Sequence, residues 1–191
     1  MALPSRDDLR VMLWERITPR RALHSLGTES AAVTLAMRWG ADPEEAGCAA
    51  LLHDMTKDGS DQLQNLSAYG IMRDEWEETV PGAYHALTAA ALAKKLGFGE
   101  NLISAVRWHT TGRAGMTLLE KIIYLADKTE PFRPLYSGLS EIRRLMYTDL
   151  DRAVAMAIER IMQYNLNRGQ ELDKNSDSAL KWLLERMETD E

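Results

Sequence analysis

No segment of the 191-residue chain alternates apolar and polar residues with the period of two that a half-buried strand requires. Apolar residues recur instead at three- and four-residue intervals, between residues that start and stop helices. Ser5 with Asp8, and Thr117 with Glu120, read as capping boxes. Thr18-Pro19 and Asp42-Pro43 each pair an N-cap with a first-turn proline. Gly40 and Gly97 read as helix stops, and Pro131 and Pro134 close a helix running to about Thr129. Further helices are expected over Ala83 to Leu96, Asn101 to Trp108, Ser140 to Tyr147, Asp149 to Asn167 and Ser176 to Met187. Between Lys57 and Gly82 the breakers Gly59, Gly70 and Pro81 leave only short helices and loops. The pattern predicts an all-α chain. Residues 1–191 form one domain, with 139–191 as C-terminal helices packed on the core.

Composition narrows the function. Cys48 is the single cysteine, which excludes an internal disulfide and a thiolate-rich zinc site and points to a reducing, cytoplasmic compartment. The formal net charge of −6 argues against broad binding to nucleic acid. No apolar run approaches the ~20 residues of a membrane span. The first residues carry Arg6, Asp7, Asp8 and Arg10 and do not read as a secretory leader. Met146, Met156, Met162 and the tryptophans are expected in the core, and Cys48 as a buried small residue.

The four histidines are the informative residues. His24 lies early in the second helix, His53 at the end of the third, His85 at the start of the alanine-rich helix and His109 at the end of the next. Asp54 follows His53 directly, and Asp127 lies near the end of a very apolar helix. A lone histidine is usually a hydrogen-bonded or exposed side chain. An aspartate at a helix C-terminus is harder to dismiss, because it opposes the helix dipole at ~0.3–1 kcal/mol and costs more when buried unpaired. Pairing with a nearby Lys or Arg relieves that cost, and so does a divalent cation. Four imidazoles and two carboxylates suit iron, manganese, zinc or cobalt. Lys57, three residues after Asp54, faces the same way if the helix runs on a turn, where it would meet an anion; a solvated lysine is the plain alternative.

The ordered set His24, His53-Asp54 in LLHDMTK, His85, His109 and Asp127 in YLAD resembles the HD-domain metal-dependent phosphohydrolases. RALHSLGTESAAVTLAMRWGADPEEA and AVRWHTTGRAGMTLLEKIIYLADKTEPFR look like the YqeK-type symmetrical bis(5′-nucleosyl)-tetraphosphatases of bacteria. The resemblance covers about residues 18–165. It implies an HD-domain helical bundle with a two-metal centre, commonly iron, that splits diadenosine tetraphosphate into two ADP. Carried over, His24, His53, Asp54 and Asp127 hold one metal, and Asp54 bridges to a second held by His85 and His109. Two such ions supply a hydroxide nucleophile at neutral pH and stabilise charge on the attacked phosphate. Around the third histidine this chain reads His85-Ala86-Leu87-Thr88-Ala89-Ala90, without the family's proline and glycine.

The loop His109-Thr110-Thr111-Gly112-Arg113 looks like the family's HT(T/S)GR segment, and its hydroxyls and guanidinium suit phosphate oxygens. Lys57, Thr110, Thr111, Gly112, Arg113 and Arg133 are therefore substrate-contact candidates, and Asp54, Lys57 and Arg113 the catalytic ones. For each arginine the plain alternative is a pairing with a nearby acid. The partners implied are a dinucleoside polyphosphate and its products, with a homodimer allowed. Two other readings keep the fold: an HD phosphohydrolase of nucleoside mono- or triphosphates, and a non-catalytic nucleotide-binding module.

Overall fold

The computed structural model describes residues 2–58, 62–77 and 79–189. Expected breaks at Gly59 lie outside them. The described helices are α1 (Arg6–Arg16), α2 (Pro19–Trp39), α3 (Pro43–Leu52), α4 (Gln62–Ala68), α5 (Arg73–Trp76), α6 (Tyr84–Lys95), α7 (Glu100–Trp108), α8 (Leu118–Thr129), α9 (Leu139–Leu145), α10 (Leu150–Asn167) and α11 (Lys174–Thr189). A short 3₁₀ turn, Pro81–Ala83, leads into α6. The described residues contain no strand.

Local chemistry sets the helix ends as the sequence predicts. Both capping boxes form, Ser5 with Asp8 and Thr117 with Glu120. Asp42 accepts from the backbone N–H groups of Glu44 and Glu45. The left-handed Gly40, φ 78°, ends α2. Thr18 stands at its N-cap, but its side chain caps nothing. The backbone N–H there donates instead to Asp58 at 2.6 Å.

Helix α8 is the axis of the core. From Leu119 to Thr129 every residue but Lys121 is buried, so α8 is covered on all sides. Helices α2, α3, α7 and α10 pack around it. Alanines make this closeness feasible: Ala32, Ala36, Ala46, Ala49, Ala50, Ala105 and Ala126 are fully buried. One buried apolar cluster runs from Leu9 and Leu13 of α1 to Ala179 and Leu183 of α11, so α10 and α11 share the core of α1 to α3 and α6 to α8. A smaller cluster, Leu66, Tyr84 and Leu87, sits under α4.

Two expectations need correcting. Trp14 is 49% exposed, because Leu9 and Leu13 take the inward face of α1. Helix α3 does not run on a full turn to Lys57. It stops at Leu52, and three-residue turns (Met55 N–H to the Leu52 carbonyl, Lys57 N–H to the Asp54 carbonyl) carry the chain onward. Met146 and Cys48 are buried as expected, and burial pushes the Cys48 thiol up to about 11.

Candidate metal centre

Five helices deliver the histidines and aspartates to one place. His53 caps the C-terminus of α3, His109 caps that of α7, and Asp127 lies in the last turn of α8. His24 comes from the first half of α2 and His85 from the first turn of α6. Three helix C-termini thus converge, and their partial negative charges favour a cation between them.

The four Nε2 atoms point at each other. His24 Nε2 is 3.3 Å from His53 Nε2, and His85 Nε2 is 3.1 Å from His109 Nε2. Outward hydrogen bonds fix the rings. His53 Nδ1 lies 2.6 Å from the Ala50 carbonyl and His109 Nδ1 lies 2.7 Å from the Val106 carbonyl. A carbonyl only accepts, so each Nδ1 carries the proton and each Nε2 offers a lone pair inward. Burial drives His53 down to about 3 and His109 down to about 4, so both rings are neutral at pH 7. His85 is lowered as well, again by burial first.

The carboxylates complete two groups. His24 Nε2 lies 3.0 Å from Asp127 Oδ1, with His53 Nε2 3.8 Å from the same oxygen. His85 and His109 Nε2 lie 3.2 Å and 3.6 Å from Asp54 Oδ1. The other Asp54 oxygen, Oδ2, is 3.9 Å from His24 Nε2. Oδ1 also lies 3.8 Å from His53 Nε2, so the Asp54 carboxylate stands against all four imidazoles. The donor atoms of His24, His53 and Asp127, and of His53, Asp54 and His109, are close enough together to hold a metal ion.

Buried carboxylates this close need positive charge. Burial alone would raise both, but the Lys57 ammonium beside it holds Asp54 well below the carboxylate range. Lys128, His24 and Arg133 do the same for Asp127. His24 is pushed down by burial, and Asp127 with Asp54 more than reverses this and raises it. Lys57 Nζ lies 3.0 Å from both Asp54 oxygens. Both readings of the aspartates are thus present: lysine pairing and a ligand set for a cation. The donors are nitrogen and oxygen throughout, which fits iron, manganese, zinc or cobalt.

The substrate-contact candidates divide. Thr110 belongs to the site, its hydroxyl 3.0 Å from His109 Nε2 and 3.2 Å from His85 Nε2. Arg133 also belongs, with one guanidinium nitrogen 2.7 Å from Asp127 Oδ1. Thr111 does not: its buried hydroxyl donates to the Gly112 carbonyl. Gly112, φ 68°, faces the C-terminal helices, where a Cβ would lie 3.3 Å from Ala179 Cβ. Its glycine is explained by that packing and by its left-handed backbone, not by a phosphate. Arg113 sits on the fully buried Glu120, 3.1 Å from both carboxylate oxygens. Glu120 also accepts from the Thr117 N–H at 2.9 Å, so Arg113 completes a buried acid's shell.

Two residues at the site went unread in the sequence. Buried Glu130 places Oε1 3.2 Å from His24 Nδ1, orienting that ring from behind as a carboxylate does for a metal-ligating histidine. Buried Lys128 donates to Asp127 Oδ2 at 2.6 Å and to the His109 carbonyl at 3.0 Å, tying the ends of α7 and α8 together. The available signal was their position beside Asp127, in the run DKTE.

A sequence model of the HD domain matches residues 21–131, a span that holds all six proposed ligands. The chain belongs to the HD-domain family. It is 32% identical over 183 residues to the Bacillus subtilis symmetrical bis(5′-nucleosyl)-tetraphosphatase, covering 94% of this chain and 98% of that one. The Halalkalibacterium halodurans protein of the same name is 32% identical over 179 residues, 88% of this chain and 91% of that one. A crystal structure from Clostridium acetobutylicum, described as a predicted HD superfamily hydrolase involved in NAD metabolism, superposes with a TM-score of 0.87 at 34% identity. The match covers 97% of this chain and 100% of that one. The HD-domain chain is thus similar along nearly its whole length, α9 to α11 included. No helix among the described residues is long and apolar enough to cross a membrane.

Proposed function

We propose that this HD-domain chain hydrolyses diadenosine tetraphosphate symmetrically, giving two ADP, the activity for which its Bacillus and Halalkalibacterium relatives are named. The observation that carries the reading is Asp54, whose Oδ1 lies 3.2 Å from His85 Nε2 while Oδ2 faces His24 Nε2 at 3.9 Å. That arrangement supports a carboxylate shared by two divalent ions. His24, His53, Asp54 and Asp127 hold one; Asp54, His85 and His109 hold the other. Iron is the proposed metal, with manganese, cobalt and zinc admitted by the same donors. Bound there, the pair supplies a hydroxide nucleophile at neutral pH and neutralises charge on phosphate.

The chain's own groups do the rest. Lys57 and Arg133 stand beside Asp54 and Asp127 and turn their charge toward an anionic polyphosphate once metals hold the carboxylates. Thr110 offers a hydroxyl to a phosphate oxygen beside His85 and His109. Arg21, 3.9 Å from Asp54 Oδ2 and 2.5 Å from Asp58, adds a further cation at the rim. Arg113 is engaged with Glu120 and is left out of the catalytic set, and Thr111, engaged with the Gly112 carbonyl, out of the substrate contacts. The buried thiol of Cys48 agrees with a cytoplasmic setting, and light scattering reads whether the chain forms the homodimer that the resemblance allows. Chromatography of the products tests the activity. Two ADP per substrate supports it; AMP plus ATP, or cleavage of nucleoside triphosphates alone, moves the chain to another HD phosphohydrolase class.

A further inference from the structure

The loop after α8 leaves one aromatic ring in water beside the metal centre. The chain has two phenylalanines; Phe98 packs on the core, and Phe132 is 66% exposed. The loop holds the ring outward. Its backbone N–H donates to Oε2 of buried Glu130 at 2.5 Å, and Glu130 orients His24. Its neighbour Arg133 is anchored on the Asp127 carboxylate. Phe132 is therefore fixed on both sides by residues that contact the ligand set.

The ring lies along α2. A Cβ on Gly27 would sit 3.0 Å from Phe132 Cδ2. Leu23, four residues earlier on the same helix face, is 50% exposed and follows the same edge, and Leu135 beyond the loop is 82% exposed. An apolar strip from Leu23 to Phe132 thus borders a site ringed by Arg21, Lys57 and Arg133. The ligand that needs a cationic, metal-binding floor and an adjacent flat apolar surface is a nucleotide, with phosphates on the floor and the base on the ring.

We infer that Phe132, with Leu23 beside it, is the platform on which a nucleobase of the substrate stacks. This rests on the nucleotide reading above, and the test separates the two. Calorimetric titration of the metal-loaded protein with ADP and, separately, with pyrophosphate compares a ligand that has a base with one that lacks it. In Phe132→Ala the Kd for ADP rises about tenfold, within the range that stacking contributes per base, while the Kd for pyrophosphate holds within about twofold. Phe132→Trp restores ADP binding. Equal weakening of both ligands, or no weakening of either, overturns the platform. So does a change in oligomeric state with ADP binding intact, which would assign the ring to a second copy of the chain. A wild-type protein that binds ADP through Phe132 yet does not cleave diadenosine tetraphosphate would overturn the activity and keep the platform.

Discussion

His24 Nδ1 lies 3.2 Å from Glu130 Oε1, a contact between residues 106 positions apart in the chain. The gap is open because residue 27 has no side chain: a Cβ there would fall 2.6 Å from Glu130 Oε2. Helix α2 thus carries the proposed ligand His24 and, one turn later, the space for the carboxylate that aims it. On α9, Arg143 closes the assembly by donating to the Glu130 carbonyl at 2.7 Å.

Gly27→Ala should therefore displace Glu130 and loosen His24. Losing such a supporting contact costs roughly 10–100-fold in metal affinity. The loss should fall on the ion held by His24, His53 and Asp127, leaving the ion of His85 and His109 in place. Metal titration should show one weakened and one unchanged class of site, and Glu130→Gln, which still accepts from Nδ1, should be milder than Glu130→Ala.

Arg113→Ala should act on stability. It strips a fully buried Glu120 of its cation, and breaking a buried pair costs about 3–5 kcal/mol; Arg113 is one-third exposed, so about 1–3 kcal/mol is expected. Thermal unfolding should drop by roughly 2–4 °C per kcal/mol. KM for diadenosine tetraphosphate should change little. A large fall in kcat at unchanged melting temperature would return Arg113 to the catalytic set.

Acid should destabilise the metal-free protein. His53, at about 3, and His109, at about 4, refuse protons that the unfolded chain takes up below the ordinary histidine value of 6.5. His85 is lowered in the same direction. Stability from these groups is present above about pH 6.5 and is lost as pH falls, at about 1.4 kcal/mol per pH unit for each group. His24, which is raised, opposes them: its contribution is present below 6.5 and fades as pH rises. The large downward shifts of His53 and His109 set the sign. Asp54 and Asp127, held well below 3.8, extend the loss at lower pH. The urea midpoint should be lower near pH 5.5 than near pH 7.5, and a flat or inverted profile would count against neutral, buried rings.

Helix boundaries were legible because caps are local chemistry: Ser5 with Asp8, Asp42 with Pro43, and Thr117 with Glu120 act within four residues of themselves. The six convergent side chains were legible through their order along the chain. What stayed hidden depends on contacts between distant segments. Glu130 reads as a solvated acid until α2 is laid against the loop after α8. Arg113 follows His109 by four residues, yet its side chain turns to Glu120 because a buried carboxylate needs a cation more than an exposed loop does. Gly112 suggests room for phosphate until Ala179, 67 positions later, occupies that space.

The central claim is that Asp54 is shared by two metal ions that the chain needs for turnover. Elemental analysis of wild-type and Asp54→Ala protein, purified without added metal or chelator and assayed on the same samples, tests it most directly. The account predicts about two ions per wild-type chain. In Asp54→Ala it predicts loss of metal and turnover with helical content kept. Near wild-type turnover by a metal-free Asp54→Ala protein would contradict it.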